Sequence, residues 1–315
     1  MLSQTDRKTS EEPVELSISI VTYNSASRIG ALLDAIETER GQDNWEVLVT
    51  DNASEDDISA VAARHPRVHL STLVENVYFT RADNLNLKRS RGQFVLSINP
   101  DCLPQLGAIR VLLQYLKANP SVGAVTPRFR YPDGCHQPSY GPFPSLPFGI
   151  CEVSGLNRVL PWNRYQNEMF GQHKETTHET CCDVEVLYGA CIMTRREVMD
   201  RVGLKDERFV QGWDEYDWCY RMRAAGWRCS YVPQALVVHV QGASRTIETS
   251  RTLRQLQTAG LLQIYRKYWG FWTYLLLRLC YWAQPVFMMR GPIRLIRWAV
   301  RIKPTGKRRT AVGCR

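Results

Sequence analysis

LSISIVTYNSASRIGALLDAIETERGQDNWEVLVTD, residues 16–51, is the stretch on which the fold turns. LSISIVTY is an apolar run of strand length, and Ser27–Arg40 places Ile29, Leu32, Leu33 and Ile36 on one face of a helix. WEVLVTD follows as a second buried strand. The rhythm continues with a short helix over 56–64, the strand VHLSTLV, a helix over 80–90, the strand QFVLSIN, a helix over 106–119 stopped by Pro120, and the strand VGAVTPRF. Such alternation predicts an α/β fold, a mainly parallel sheet with helices on both faces. Residues 131–183, rich in Pro, Gly and aromatics, break the rhythm and read as a long excursion over the sheet. Loops of that length are usually functional. VEVLYGACIMTR then reads as one strand, 197–202 and 215–225 as helices, and WRCSYVP and ALVVHV as two closing strands.

The 315 residues are 44% hydrophobic and 23% charged, enough for a sizeable core. The net charge of +9 is unevenly spread: residues 249–315 hold fourteen Lys/Arg and no acid, leaving 26 basic against 31 acidic residues before them. Three segments are therefore expected: a polar, disordered leader at 1–13, an α/β domain at 14–248, and a basic, aromatic-rich helical tail at 249–315. The leader lacks the apolar run of a signal peptide, and the ten cysteines include no C-x-x-C. Both features point to free thiols in the cytoplasm.

In parallel α/β sheets, ligands bind beyond the carboxyl ends of the strands. Thr22-Tyr23-Asn24, Asp51-Asn52, Asn99-Pro100-Asp101 and His239 all fall at such ends. Any one of them could cap a helix or start a turn; the four together favour a site. No Gly-rich loop follows the first strand, which argues against a P-loop NTPase or a dinucleotide-dependent dehydrogenase. Asp51 could accept from a nucleotide base and Tyr23 could stack on it. The stretch GWDEYDWCYRMRAAGW, 212–227, crowds Asp214, Glu215 and Asp217 into a helix start. A helix dipole accounts for one or two acids there. Their place between Trp213 and Trp218 adds burial, which raises a carboxylate pKa toward that of a general base.

At these residues the chain resembles the inverting glycosyltransferases of family two, of GT-A fold, and especially a bacterial branch that includes rhamnosyltransferases. The matching pieces are SIVTYNS, VLVTDNASEDD, ENVYFTRADN, SINPDC, GACIMTRREVMDRVG, DERFVQGWDEYDWCYRMRAAGW and VVHVQGAS, in family order across roughly 16–245. The resemblance implies that Thr22, Tyr23, Asn24 and Asp51 line a base and ribose pocket, with Asn52, Arg81 and Asn99 also on the nucleotide sugar. It implies that Asp101 and His239 hold a divalent cation, Mg²⁺ or Mn²⁺. Glu215, preceded by Asp214, would stand at the catalytic base, with Asp217 in the same acidic cluster. Three departures accompany it: Asn99 replaces the first acid of D-x-D, the acidic pair reads Asp214-Glu215 rather than the reverse, and Tyr78 replaces a small residue. Either member of the pair could be the base. The implied reaction moves a sugar, by branch resemblance from dTDP-rhamnose, to a lipid-linked or polysaccharide acceptor of the cell envelope. The alternative is a non-catalytic nucleotide- or glycan-binding scaffold at the membrane.

The tail offers Trp269–Met289, long enough to span a bilayer but interrupted by Arg278, Gln284 and Pro285 and rich in interfacial aromatics. Arg290, Arg294, Arg297 and Arg301 follow at helical spacing. A basic amphipathic helix on an anionic membrane surface is expected, peripheral to the inner face of the cell membrane. A helix packed on the domain with solvated arginines is the alternative. No nucleic-acid-binding motif accompanies the charge.

Overall fold

The computed structural model describes residues 13–156, 179–210, 212–240 and 247–288. The first half alternates as expected: β1 (Leu16–Thr22), α1 (Ala26–Arg40), β2 (Trp45–Asp51), α2 (Ile58–Ala62), β3 (Val68–Thr72), α3 (Phe79–Arg89), β4 (Phe94–Ile98), β5 (Cys102–Pro104), α4 (Ala108–Ala118) and β6 (Val122–Arg130). Every residue of β1, β2 and β4 is buried, as in a sheet covered on both faces. Ile29, Leu32, Leu33 and Ile36 of α1 and Ile109, Leu112, Leu113 and Leu116 of α4 close over the core.

After β6 come β7 (His136–Gln137), β8 (Tyr140–Gly141), α5 (Leu146–Ser154), β9 (Cys182–Val184), β10 (Val186–Leu187), β11 (Cys191–Arg195), α6 (Arg196–Val202), α7 (Asp214–Ala224), β12 (Arg228–His239), α8 (Ile247–Tyr268) and α9 (Phe271–Met288). The main sheet runs β3-β2-β1-β4-β11-β6-β12-β5, with β7 on β6 and β9 on β12. β1 to β4 are parallel, β11 inserts antiparallel between β4 and β6, and β12 runs parallel to β6. The mixed, mainly parallel sheet flanked by helices matches the α/β expectation.

Three details differ from the sequence reading. VEVLYGACIMTR is two strands, because β10 pairs with β8 in a separate ribbon and only β11 enters the main sheet. WRCSYVP and ALVVHV are one strand, β12, whose register shifts between Val232 and Leu236, around Pro233, which has no N–H for the ladder. The excursion at 131–183 carries regular structure in β7, β8, α5 and the start of β9; its stretch 157–178 lies outside the described residues.

α8 docks on the α/β body. Leu261, Tyr265 and Leu277 of α8 and α9 cluster with Phe148 and Val153 of α5, and Ile264 joins Trp218 and Met222 of α7. Two glycines permit the contact. A Cβ on Gly149 would lie 2.6 Å from the Tyr265 ring, and one on Gly260 would lie 2.7 Å from Trp213 Cδ1. The Tyr265 hydroxyl donates to Ser145 O at 2.5 Å, fixing the ring. On α9, Phe271, Trp272, Leu279 and Trp282 are exposed. No described helix is long and apolar enough to cross a membrane. The expected leader, up to residue 12, and the arginine stripe 290–301 lie outside the described residues.

Gly149→Ala tests the docking. Alanine gains about 1 kcal/mol of helix propensity over glycine. Overpacking against a held ring costs about 1–3 kcal/mol. Urea denaturation should show a net loss of stability, relieved in the Gly149→Ala/Tyr265→Leu double variant.

Candidate active site

The carboxyl ends of β2, β1 and β4 lie side by side, with Thr22 in register with Asp51, and their turns are tied into one collar. Asn24 N donates to Ser54 Oγ at 2.9 Å, and Asn24 Oδ1 accepts from Glu55 N at 2.8 Å. Asp51 Oδ1 accepts from Ser54 N and Oγ. Asn52 donates to Asn76 Oδ1 at 2.8 Å and accepts from Val77 N at 2.9 Å, so it holds the loop after β3. Thr22 Oγ1 is buried without a hydrogen-bond partner among the described residues, and Tyr23 is 40% exposed at the rim. Arg81 is exposed and pairs with Glu207 at 3.9 Å. The non-glycine residues with left-handed backbone among those described are Asn24, Ala53, Tyr78 and Trp213. Each stands at a turn carrying a candidate site residue, where strained backbone commonly gathers.

The second corner joins β5 to the end of β12, where His239 stands in register with Cys102. His239 Nε2 lies 3.4 Å from Asp101 Oδ1, and the ligand atoms of Asp101, Cys102 and His239 fall within 4.8 Å of one another. A carboxylate oxygen suits Mn²⁺ or Mg²⁺, an imidazole nitrogen suits the transition metals of that pair's size better than Mg²⁺, and a thiol suits softer ions. Cys102 Sγ donates to Ala190 O at 3.3 Å, and burial pushes its pKa well up, so it stays a thiol. The Gln137 side-chain amide lies 3.1 Å from His239 Nδ1, while its Oε1 is buried without a partner. With the amide turned so that Oε1 accepts from Nδ1–H, the His239 Nε2 lone pair faces Asp101, the arrangement a metal-binding histidine uses. Asp101 and His239 thus fit a divalent cation. Gln137 was not singled out in the sequence; it lies in the excursion, where no spacing points to it.

The third corner is the start of α7. Glu215 is partly buried against the Gly189–Ala190 turn, and a Cβ on Gly189 would lie 3.7 Å from its carboxyl carbon. Ala190 O accepts from Asn99 N at 2.9 Å, so the same turn carries Asn99-Asp101 and Glu215 on one wall. Burial pushes the Glu215 pKa well up, with the Asp214 carboxylate beside it as the next cause. Asp214 itself is buried and faces Lys205 Nζ at 3.5 Å. Lys205 is fully buried, 3.0 Å from Asp83, which also accepts from Ser19 and Ser97. Burial alone would lower the Lys205 pKa, but Asp83 and Asp214 outweigh it and raise the pKa. Asn84 grips the Lys205 backbone by both N–H and carbonyl. Neither Asp83 nor Lys205 was singled out, since a buried lysine has no sequence pattern of its own.

Asp217 is placed apart from Glu215. It is fully buried, accepting from Arg221 at 2.8 Å, from Tyr268 at 2.6 Å and from Lys267. Its Oδ1 fastens α8 to α7 through Lys267 and Tyr268, and its Oδ2 is held by Arg221 of α7 itself.

Comparison with known proteins bears on the family and the fold. The family model described as glycosyl transferase family 2 matches residues 17–203. The chain is 28% identical over 275 residues to N-acetylglucosaminyl-diphospho-decaprenol L-rhamnosyltransferase of Mycobacterium tuberculosis, covering 82% of this chain and 86% of that one. It is 24% identical to chondroitin synthase of Escherichia coli, over 79% of this chain and 38% of the synthase. Among solved structures, GalNAc-T7 with UDP, GalNAc and Mn²⁺ superposes with a TM-score of 0.54 at 14% identity, covering 78% of this chain and 48% of that one. The mannosyltransferase PcManGT of Pyrobaculum calidifontis, with GDP-Man and Mn²⁺, gives 0.50 at 17% identity, over 91% and 83% of the two chains. These likenesses establish the GT-A fold.

Lys205→Met would leave Asp83 and Asp214 as buried carboxylates without their counter-charge. Removing one partner of a buried ion pair costs about 3–5 kcal/mol. Chemical denaturation at neutral pH should show that loss, with partial recovery in Lys205→Met/Asp214→Asn. The ammonium's stabilisation is complete below its unfolded pKa, about 10.4, and is lost only as pH rises through its raised folded value.

Proposed function

The chain belongs to glycosyl transferase family 2, and from that premise we propose that it is an inverting, metal-dependent glycosyltransferase that moves L-rhamnose from dTDP-rhamnose to a sugar on a lipid diphosphate. The observation that carries this reading is the Gly189–Ala190 turn, which sets the Asp101–His239 corner and Glu215 on one wall beside the Asp51 collar. The rhamnosyl donor and lipid-linked acceptor follow the name of the mycobacterial relative.

Asp51 and Tyr23 would hold the base, and Asp101 and His239 would hold Mn²⁺ or Mg²⁺, which when bound neutralises the departing diphosphate. Glu215 is the base in this reading. Its carboxylate takes the proton from the acceptor hydroxyl as that oxygen attacks the anomeric carbon from the face opposite the diphosphate, and one displacement inverts the centre. Asp214 is held by Lys205 and positions Glu215 instead of exchanging protons with substrate. A raised pKa suits the role, because a stronger conjugate base abstracts a hydroxyl proton more readily.

Glu215→Gln should lower kcat by roughly 10²–10⁴-fold while thermal stabilisation by dTDP-rhamnose with Mn²⁺ persists. In the wild type, kcat/KM should climb with pH as Glu215 loses its proton, with an inflection above the ordinary glutamate value of about 4.3. That limb should vanish in the variant. Near-wild-type turnover in Glu215→Gln, with loss in Asp214→Asn, would transfer the role to Asp214.

Membrane attachment belongs to the same proposal. The exposed Phe271, Trp272 and Trp282 suit the headgroup region at the inner face of a membrane, with Arg278 stacked on Tyr274 and Trp282 beside them. Flotation of the full chain with phosphatidylglycerol vesicles should fall in Trp272→Ser/Trp282→Ser; unchanged flotation would remove α9 from that role.

A further inference from the structure

Between the segment Arg208–Val210 and α8 lies a cleft of about 610 Å³, within the size range of small-ligand sites. Arg208, Gln263, Arg266 and Lys267 supply its polar wall, and Leu256 and Gly260 part of the rest. None of these residues belongs to the donor collar or to the Asp101–His239 corner. Three cations therefore face one space.

Their charge is only partly neutralised. Asp206 bridges Arg208, through Nε at 2.9 Å and Nη2 at 2.6 Å, and Lys267 Nζ at 3.0 Å. The Arg208 hydrogen bonds, foremost, hold its pKa far below the usual range, so Asp206 stays ionised. Asp217, behind Lys267, is shared with Arg221. Arg266 has no carboxylate partner among the described residues; its guanidinium lies 5.7 Å from the Tyr274 ring. The position matters as much as the charge. Gly260, on the cleft wall, abuts Trp213, the residue before Asp214-Glu215, so the cleft borders the segment that leads into the base. α8 then passes directly into α9, with its exposed Trp272 and Trp282.

We infer that this cleft binds the diphosphate of the lipid-linked acceptor, an inference that rests on the acceptor class proposed above. A guanidinium fork matches phosphate oxygens two at a time, and an ammonium adds a point charge. The arrangement differs in kind from the donor corner, where a carboxylate and an imidazole can reach a diphosphate only through a cation. The acceptor's diphosphate is recognised without metal. Held there, it would present its sugar toward Glu215 and leave its lipid toward α9.

The test uses farnesyl diphosphate as probe, titrated calorimetrically into the full chain with EDTA present. The wild type is expected to bind it. Arg266→Gln should weaken binding by about tenfold, the usual worth of one charge-assisted contact, while stabilisation by dTDP-rhamnose with Mn²⁺ is unchanged. In turnover, the same variant should raise KM for a diphospho-lipid acceptor and leave acceptor-independent donor hydrolysis alone. No binding by the wild type, or equal affinity in wild type and variant, overturns the inference. So does loss of donor stabilisation in parallel, which would mark Arg266 as merely structural. Phosphatidylglycerol vesicles form the other arm: reduced vesicle binding with intact farnesyl diphosphate binding would assign the cleft to lipid headgroups and overturn it too. The titration needs no turnover, so a failed transfer assay and a failed titration are separate results.

Discussion

Lys205 Nζ sits between Asp83 on α3 and Asp214 at the head of α7, in a place closed to solvent. Through Ser19 and Ser97, Asp83 reaches β1 and β4, the strands whose ends frame the collar. Through Asp214, the same ammonium reaches the neighbour of Glu215. The two halves of the site are therefore connected by charge rather than by apolar packing alone. An apolar replacement of such a triad can be stable, but it would remove the Asp214 carboxylate from beside Glu215. That neighbouring negative charge is one reason the glutamate retains its proton to higher pH.

What was legible in the sequence had a periodicity or a place at a strand end. β1, α1 and β2 could be read from apolar spacing, and Asp51, Asp101 and His239 from their position at the ends of apolar runs. The acids at 214–217 could be read as a group but not sorted. Spacing puts all three on the first turn of a helix, while their separate fates depend on Lys205, on Gly189 and on Lys267 with Tyr268, each supplied from elsewhere in the chain. Gln137 and Lys205 were illegible for the same reason. A polar residue that acts by filling a partner's hydrogen-bonding need leaves no local signature until the partner is in place.

Strand order was equally hidden. β11 lies between β4 and β6 although it follows both by many residues, and its antiparallel entry turns the Gly189–Ala190 corner onto the site. The C-terminal helices show a related lesson. Their basic composition pointed to a membrane surface, with packing on the domain as the alternative, and Leu261, Ile264 and Tyr265 are buried against α5 and α7. Charge on one face of a helix says little about what its other face touches.

The left-handed residues Asn24, Ala53, Tyr78 and Trp213 carry a thermodynamic consequence for the whole domain. An L-residue with a Cβ gives up about 1–2 kcal/mol in that conformation, less for asparagine. Taken together, the deficit is comparable with a sizeable share of the roughly 5–15 kcal/mol by which a folded domain outweighs its unfolded chain. Heat tolerance and ligand geometry thus draw on one reserve here. A lineage adapting this scaffold to higher temperature would meet that trade-off first at these bends, where relaxing the main chain would also re-aim the groups it presents.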